Sequence, residues 1–453
     1  MPGGPVLETS GPTTLVIRGG TPLADTTVVD GSKNAALPLL AAAACMQQQI
    51  TLWAVPACAD VEALLGMLRR LGWAVFRNHD LSQITVGTVH PRSVQPDLAE
   101  AATIRASYYL VAPLITAYGG ARLPWPGGCS VGVRGMELHF AVYEAFGDRV
   151  DSDTGGYTVR AAGSGRPSSN TVHIALPFRS RGATVAALLR AVVAARPVVI
   201  DNANLSAELH ALYRALTAAG WEVQVDTRQV NLWPGRPGGR TCWRVPGDKI
   251  EAGTLACAIA ATGGRGHIDG TLAEDVAPLV EALALLGVPT THTSTVQPGG
   301  DDAVSGGERL TVAGPAQPTG SSLRALATLA PDGLDADWEP GLMALALSLP
   351  GEHTFADAIN PGRHGNLIPQ LRELGAVIIE TSPTECRLTG PQALTGATVQ
   401  ATDIRTGSAL LIAALAATGS TVVTGLAQLR RGHADLPGKL TALGAQLQIR
   451  GRM

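Results

Sequence analysis

"MLRRLGWAV", residues 67–75, reads as one event: a leucine-rich helix ends, a glycine releases it, and a β-prone run begins. Glycine suits that point because it adopts the left-handed backbone that closes a helix at no steric cost. The phrase recurs as "YEAFGDRV" (143–150), "ALTAAGWEVQV" (215–225), "ALALLGVPTT" (282–291), "LRELGAVII" (371–379) and "LTALGAQLQI" (440–449). Its glycines, Gly72, Gly147, Gly220, Gly287, Gly375 and Gly444, are 75, 73, 67, 88 and 69 residues apart. Such a recurrence marks an internal repeat.

A second phrase falls upstream of each glycine: a small or charged start followed by a long Ala/Leu run. It begins at "GSKNAALPLLAAAA" (31), "RASYYLVAPLITAYG" (105), "SRGATVAALLRAVVA" (180), "EAGTLACAIAATGG" (251), "DWEPGLMALALSLPG" (337) and "RTGSALLIAALAATG" (405). Most of these are apolar nearly all round, the pattern of a buried helix. Six α/β units are therefore expected. Two globular domains of three units fit the length better than a solenoid does. Residues 232–249, rich in Gly, Pro and Arg, read as the crossover between units three and four. The segment 14–32 precedes the first repeat helix and could pair with either half.

Composition narrows the function. The chain has 453 residues, 45% hydrophobic and 16% charged, the balance of a well-buried globular protein. A net charge of -3 and 4% aromatic residues argue against bulk nucleic-acid binding, membrane-surface binding and stacking platforms. None of the six cysteines lies in a CxxC pair, and the histidines show no HExxH spacing, so no metal or disulfide framework is signalled. No secretory signal or membrane span is read, which makes a reducing cytoplasm the default location.

The helix starts carry the chemistry. Each exposes unpaired N–H groups and the positive end of a dipole. Lys33, Arg105, Arg181 and Arg405 sit at or near such starts. A cation there is misplaced unless an anion joins it, so several ends aimed at one cleft would bind phosphate or carboxylate. Any one of them alone reads as a solvated surface cation.

Together, "GSKNAALPLLAAA", "IRASYY..APL", "PGGCSVGVR" and "ATDIRTGSALLIAALAATGSTVV" resemble the enolpyruvyl transferase family. The similarity is to the enzymes acting on UDP-N-acetylglucosamine more than to those acting on shikimate 3-phosphate, and it runs from about residue 14 to 447. The resemblance implies an α/β fold of two inside-out barrels with a cleft between them. One spans residues 33–246; the other takes residues 1–32 and 247–453. It implies transfer of the enolpyruvyl group of phosphoenolpyruvate (PEP) to a sugar hydroxyl with release of phosphate, and no cofactor or metal. It also implies domain closure, with the acceptor binding before PEP.

Residue roles follow from the same resemblance. Lys33 matches a lysine touching PEP or its adduct. Arg134, Arg405 and Arg431 match arginines gripping phosphate and carboxylate, which their forked donors suit; Arg430 competes with Arg431. Asn34 and Asp337 match residues holding the acceptor, with Asp337 taking its hydroxyl proton; Asp335 is two residues away. Arg105 matches an arginine near the cysteine loop. Asp60 and Asp403 are weaker candidates that orient the cations. Cys129 matches the loop cysteine linked to protonation of PEP C3 and to alkylation by fosfomycin, with Gly127 and Gly128 giving it a mobile lid. The other five cysteines read as packing or incidental.

The chain departs from the family where the acceptor binds. Gly135 replaces a usual proline and Glu137 a usual aspartate. The segment Ser180, Arg181, Gly182 reads "SRGAT" in place of "SVGAT", adding Arg181 beside Arg179 near the nucleotide phosphates. In "DAINPGRHGNLIPQL" a family arginine falls on Arg363 or is replaced by His364. Retained PEP machinery with a changed acceptor pocket suggests the same chemistry on another hydroxyl. Related enzymes of nucleoside-antibiotic pathways use the 3′-hydroxyl of UMP, the favoured acceptor here. UDP-N-acetylglucosamine is the alternative, and a non-catalytic nucleotide-binding regulator a third reading.

Overall fold

A computed structural model of the protein describes residues 13–451 apart from 47, 79–81, 91–94, 129–134, 163–169, 237, 239–240, 295–307, 315–321 and 331–332. Each recurring glycine closes a helix. Gly72, Gly147, Gly220, Gly287, Gly375 and Gly444 all have φ between 73° and 115°. The chain then turns back with a bond of the Schellman type at five of them, as in Trp221 N to Leu216 O at 3.0 Å and Ala376 N to Leu371 O at 3.1 Å. A side chain at these glycines would strain the turn.

The strands form six sheets among the described residues. Five are four-stranded and share one plan, a parallel pair at one edge and antiparallel pairing elsewhere. Cys242–Arg244 runs parallel to Ile50–Trp53, Val172–Ala175 to Val198–Asp201, Thr26–Val28 to Arg265–Thr271, Arg324–Leu326 to Gly351–Ala356, and Thr398–Gln400 to Ser420–Thr424. The sixth sheet, built from Gly120–Leu123, Gly156–Arg160 and Arg149–Asp153, is antiparallel throughout. The stretch read as a crossover is therefore partly sheet, because Cys242–Arg244 alternates exposed and buried residues and completes an edge.

The core falls into two clusters. One runs from Ala35 to Val245; the other joins Leu15–Val29 to residues between Ile250 and Ala445. At the centre of the first, helices Lys33–Cys45, Val111–Tyr118 and Arg181–Ala194 pack against one another. At the centre of the second, helices Lys249–Ala261, Glu339–Ala346 and Ile404–Ala416 do the same. Their composition explains the arrangement. Twelve residues of Lys33–Cys45 are buried, so the helix has no solvent face and small alanines let its neighbours approach.

The chain passes between the clusters at two adjacent places. Gly31 bridges Gly247, and Ser32 N donates to Pro246 O at 2.7 Å. Both positions need glycine, since a Cβ at Gly31 would collide with Ala54 O and one at Gly247 with Gly270 O. The two crossings set Lys33 and Lys249 at the start of their helices, side by side at the junction. Among the described residues, no helix is long and apolar enough to cross a membrane.

Candidate active site

A cleft of about 1080 Å³ opens between the two core clusters. It is lined by Lys33, Asn34, Arg105, Ser180, Arg181, Gly182, Asp337, Arg363, Arg405 and Arg431, together with Asp60, Lys249, Asp335 and Asp403. The described residues named from the sequence for the site thus face one space, apart from the competing candidates Arg430 and His364. Cys129 and Arg134 lie outside the described residues.

The cations are held by carboxylates, often across the cleft. Asp60 accepts from Lys33 Nζ at 3.2 Å and from Arg431 Nε at 3.1 Å, which ties the first half to the second. Arg430, on the same helix, is exposed and does not line the cleft, so Arg431 is the one placed at the site. Asp337 is gripped twice, by Arg363 Nη2 and Arg405 Nη2, each at 2.9 Å. Burial raises its pKa, yet the Arg405 and Arg363 guanidiniums outweigh that and hold it well below the usual carboxylate range. Arg363 is itself fixed by Asp357 at 3.2 Å and by Ala336 O. His364 points elsewhere and meets Glu339 Oε1 at 2.9 Å, leaving Arg363 as the cleft-facing member of that pair.

The helix starts differ in a way the sequence pattern hides. Asp403 caps its helix, accepting from Arg405 N at 2.9 Å and Thr406 N at 3.1 Å. Asp248 caps the next one, accepting from Ile250 N at 2.8 Å and Glu251 N at 3.2 Å. These two ends already carry a negative partner. Two central helices of the first half lack such a carboxylate cap: Ser32 makes no side-chain cap, and Ser180 offers only its hydroxyl, to Ala183 N at 3.3 Å. The starts of Lys33–Cys45 and Arg181–Ala194 therefore keep more of their capacity for an anion.

Gly182 marks a close approach. A Cβ there would sit 2.5 Å from His139 Nε2 and 2.8 Å from the Tyr108 hydroxyl. Gly135 and Glu137 form another such pair, because the Glu137 carboxylate fills the space that a side chain at 135 would need. The two positions are thus linked through space. Gly127 and Gly128 also have a packing reason: a Cβ at 127 would collide with Ala102 O, and Gly128 has φ 112° against Arg105. Cys45, Cys58, Cys257 and Cys386 are buried, with burial pushing the Cys58 thiol up to about 11, whereas Cys242 is exposed on its strand.

A family profile for EPSP synthase (3-phosphoshikimate 1-carboxyvinyltransferase) matches residues 17–440. The chain belongs to this family of enolpyruvyl transferases. Among its relatives, the UDP-N-acetylglucosamine 1-carboxyvinyltransferase of Coprothermobacter proteolyticus is 31% identical, over 96% of this chain and 97% of the relative. One from Symbiobacterium thermophilum is 33% identical, over 96% and 98%. Of solved structures, the enolpyruvyl transferase NikO of Streptomyces tendae superposes with a TM-score of 0.82 at 22% identity, covering 98% of this chain and all of that one. An EPSP synthase from Acinetobacter baumannii gives 0.73 at 15%, covering 96% and 99%. At these identities the likeness speaks for the fold.

The transferase brings two further residues to the cleft region that the sequence reading passed over. Lys249 opens its helix just as Lys33 does, and it contacts Asp335 at 3.0 Å and Glu208 at 3.6 Å. The signal was present in "DKIEAGTLACAIAA", where a lysine stands two residues before the point at which the repeat phrase was read. Glu208, buried in the helix Ala207–Ala218, carried no such mark. Arg181 reaches Glu208 at 3.6 Å and Asp335 at 3.7 Å, while Arg179 turns away to Thr227 O at 2.7 Å. Only Arg181 of the two adds charge to the shared Asp335 and Lys249 group.

Proposed function

We propose that the transferase moves the enolpyruvyl group of PEP to the 3′-hydroxyl of UMP and releases phosphate. The transfer reading rests on one observation above all: Lys33, Arg363, Arg405 and Arg431 converge on Asp337 and Asp60 in a single cleft. PEP carries a phosphate and a carboxylate, and forked arginine donors match both. The two three-helix cores with their sheets are read as two inside-out barrels, residues 33–246 and the remainder of the chain.

The arrangement also supplies a route to base activation. Both oxygens of Asp337 are occupied by guanidiniums, which makes it a poor base. When the anionic groups of PEP draw Arg405 toward themselves, Oδ2 is released and its proton affinity rises. Asp337 then takes the proton of the acceptor hydroxyl as that oxygen bonds to C2, while the Cys129 thiol gives its proton to C3. Phosphate leaves C2, and the proton gained at C3 returns to the enzyme as the double bond re-forms. Base activation in this scheme follows PEP binding, so a hydroxyl is not deprotonated before its partner arrives.

The acceptor reading is supported by Gly135 and Glu137, which share one space, and by Arg181, all of them lining the cleft. A second reading has its own support: relatives at 31% and 33% identity are named for UDP-N-acetylglucosamine. Phosphate release from PEP in the presence of UMP or of UDP-N-acetylglucosamine separates the two. Turnover with UMP alone is expected. Turnover with the sugar nucleotide alone replaces the acceptor, and release with neither overturns the reading of this cleft.

A further inference from the structure

Four charged side chains meet where the two halves close on each other, beside the Asp337 group. Arg181 and Glu208 come from the first core, Lys249 and Asp335 from the second. Each cation contacts both carboxylates, so signs alternate around the group. Lys249 Nζ also stands over the Trp338 ring, 5.2 Å from its centre.

The two acids are held differently. The Glu208 side chain is 2% exposed; Lys249 and Arg181 overcome the cost of burial and bring its pKa to about 2. Taking away its cations would strand a buried charge, so it is a fixed anchor. Asp335 is 15% exposed and lies on the cleft-facing loop before the helix Glu339–Ala346, where its Oδ1 accepts from Asp337 N at 2.9 Å. Of the two carboxylates it is the one that water reaches, and so the more readily exchanged for another anion.

A second observation points to a ligand beside this group. His139 is 5% exposed, and neither ring nitrogen has a hydrogen-bond partner among the described residues. Its Nε2 is aimed at Gly182, in the first turn of the helix Arg181–Ala194. A buried ring without a partner and a helix start without a carboxylate cap thus meet at Gly182, the residue that follows Arg181.

We propose that Asp335 competes with a phosphoryl group of the acceptor for Lys249 and Arg181, and so determines acceptor selectivity. This rests on the proposed uridine-nucleotide acceptor for its biology, though the competition itself concerns only phosphate. A terminal dianionic phosphate displaces the single carboxylate charge and binds the Arg181 fork, whereas an acceptor without such a group leaves Asp335 in place. The chain thereby rejects uncharged nucleosides and favours the more highly charged phosphate.

The test measures binding of inorganic phosphate, UMP and uridine to the full chain and to D335N. Asp335→Asn should tighten inorganic phosphate and UMP on the order of tenfold and leave uridine unchanged. In turnover, the acceptor KM should fall by more than kcat changes. Adding Arg181→Gln should remove the gain. The single variant Arg181→Gln, which keeps Asp335, should weaken phosphate several-fold and provides the reading if D335N does not fold. Unchanged or weaker phosphate binding by D335N, or equal tightening of uridine, overturns the proposal. Tighter phosphate binding without UMP turnover overturns only the UMP assignment.

Discussion

Two charged groups in the cleft are built alike and differ in what they join. In one, Asp337 sits between Arg363 and Arg405 while Asp60 joins Lys33 to Arg431. In the other, Arg181 and Lys249 each meet Glu208 and Asp335. Paired charges crossing between the halves occur in both. Under the proposed function the first group serves the transfer itself and the second the acceptor, the division expected where a reaction is preserved while its second substrate changes.

The strongest way to break this comparison is at Asp337. Asp337→Ala should lower kcat on the order of a thousandfold, since it removes the proposed base and frees two arginines to hold PEP unproductively. Single-turnover phosphate release measures it; an effect no larger than that of variants at Arg181 or Glu137 would erase the distinction. Next in size, Gly135→Ala should raise the acceptor KM about tenfold by displacing the Glu137 carboxylate. In a Glu137→Ala background the same change should cost much less. Additive effects would separate the two departures.

Two smaller effects concern His139 and Asp275, which also line the cleft. Burial, aided by the Arg105 charge, presses the His139 pKa from 6.5 to about 4. The unfolded chain then binds more protons than the folded one between those values, so stability falls as pH drops from 6.5 to 4. His139→Gln should flatten that acid limb of the melting curve by about 1–3 °C. Asp275 behaves in the opposite sense. Burial raises its pKa from 3.8 to about 6, so its contribution is greatest below 3.8 and is lost as pH rises through 6. Asp275→Asn should raise Tm by about 1 °C at neutral pH, with no gain below pH 3.8.

What could be read in advance follows the range over which each interaction acts. The glycine stops are local, a matter of one residue's backbone, and all six are found with positive φ. Burial of the central helices was visible in their unbroken Ala/Leu runs. Long-range electrostatics was less legible. That Asp403 and Asp248 neutralise two helix ends requires their rotamers, and that Glu208 meets Lys249 requires the docking of two distant segments. The link between Gly135 and Glu137 is only two residues long, yet it appears as separate substitutions until the side chain is seen folded back.

The strand Thr14–Arg18 lies at the centre of its sheet, with Leu15 opposite both Val423 and Ile449. For a ribosome this is an awkward order of delivery. The first core is encoded without interruption and has every strand it needs once Cys242–Arg244 has emerged. The second must leave Thr14–Arg18 waiting until Ser420–Thr424 and then Gln446–Arg450 arrive to flank it. A nascent chain therefore carries this β-segment unpaired across about four hundred residues of synthesis, exposed to wrong partners for that time.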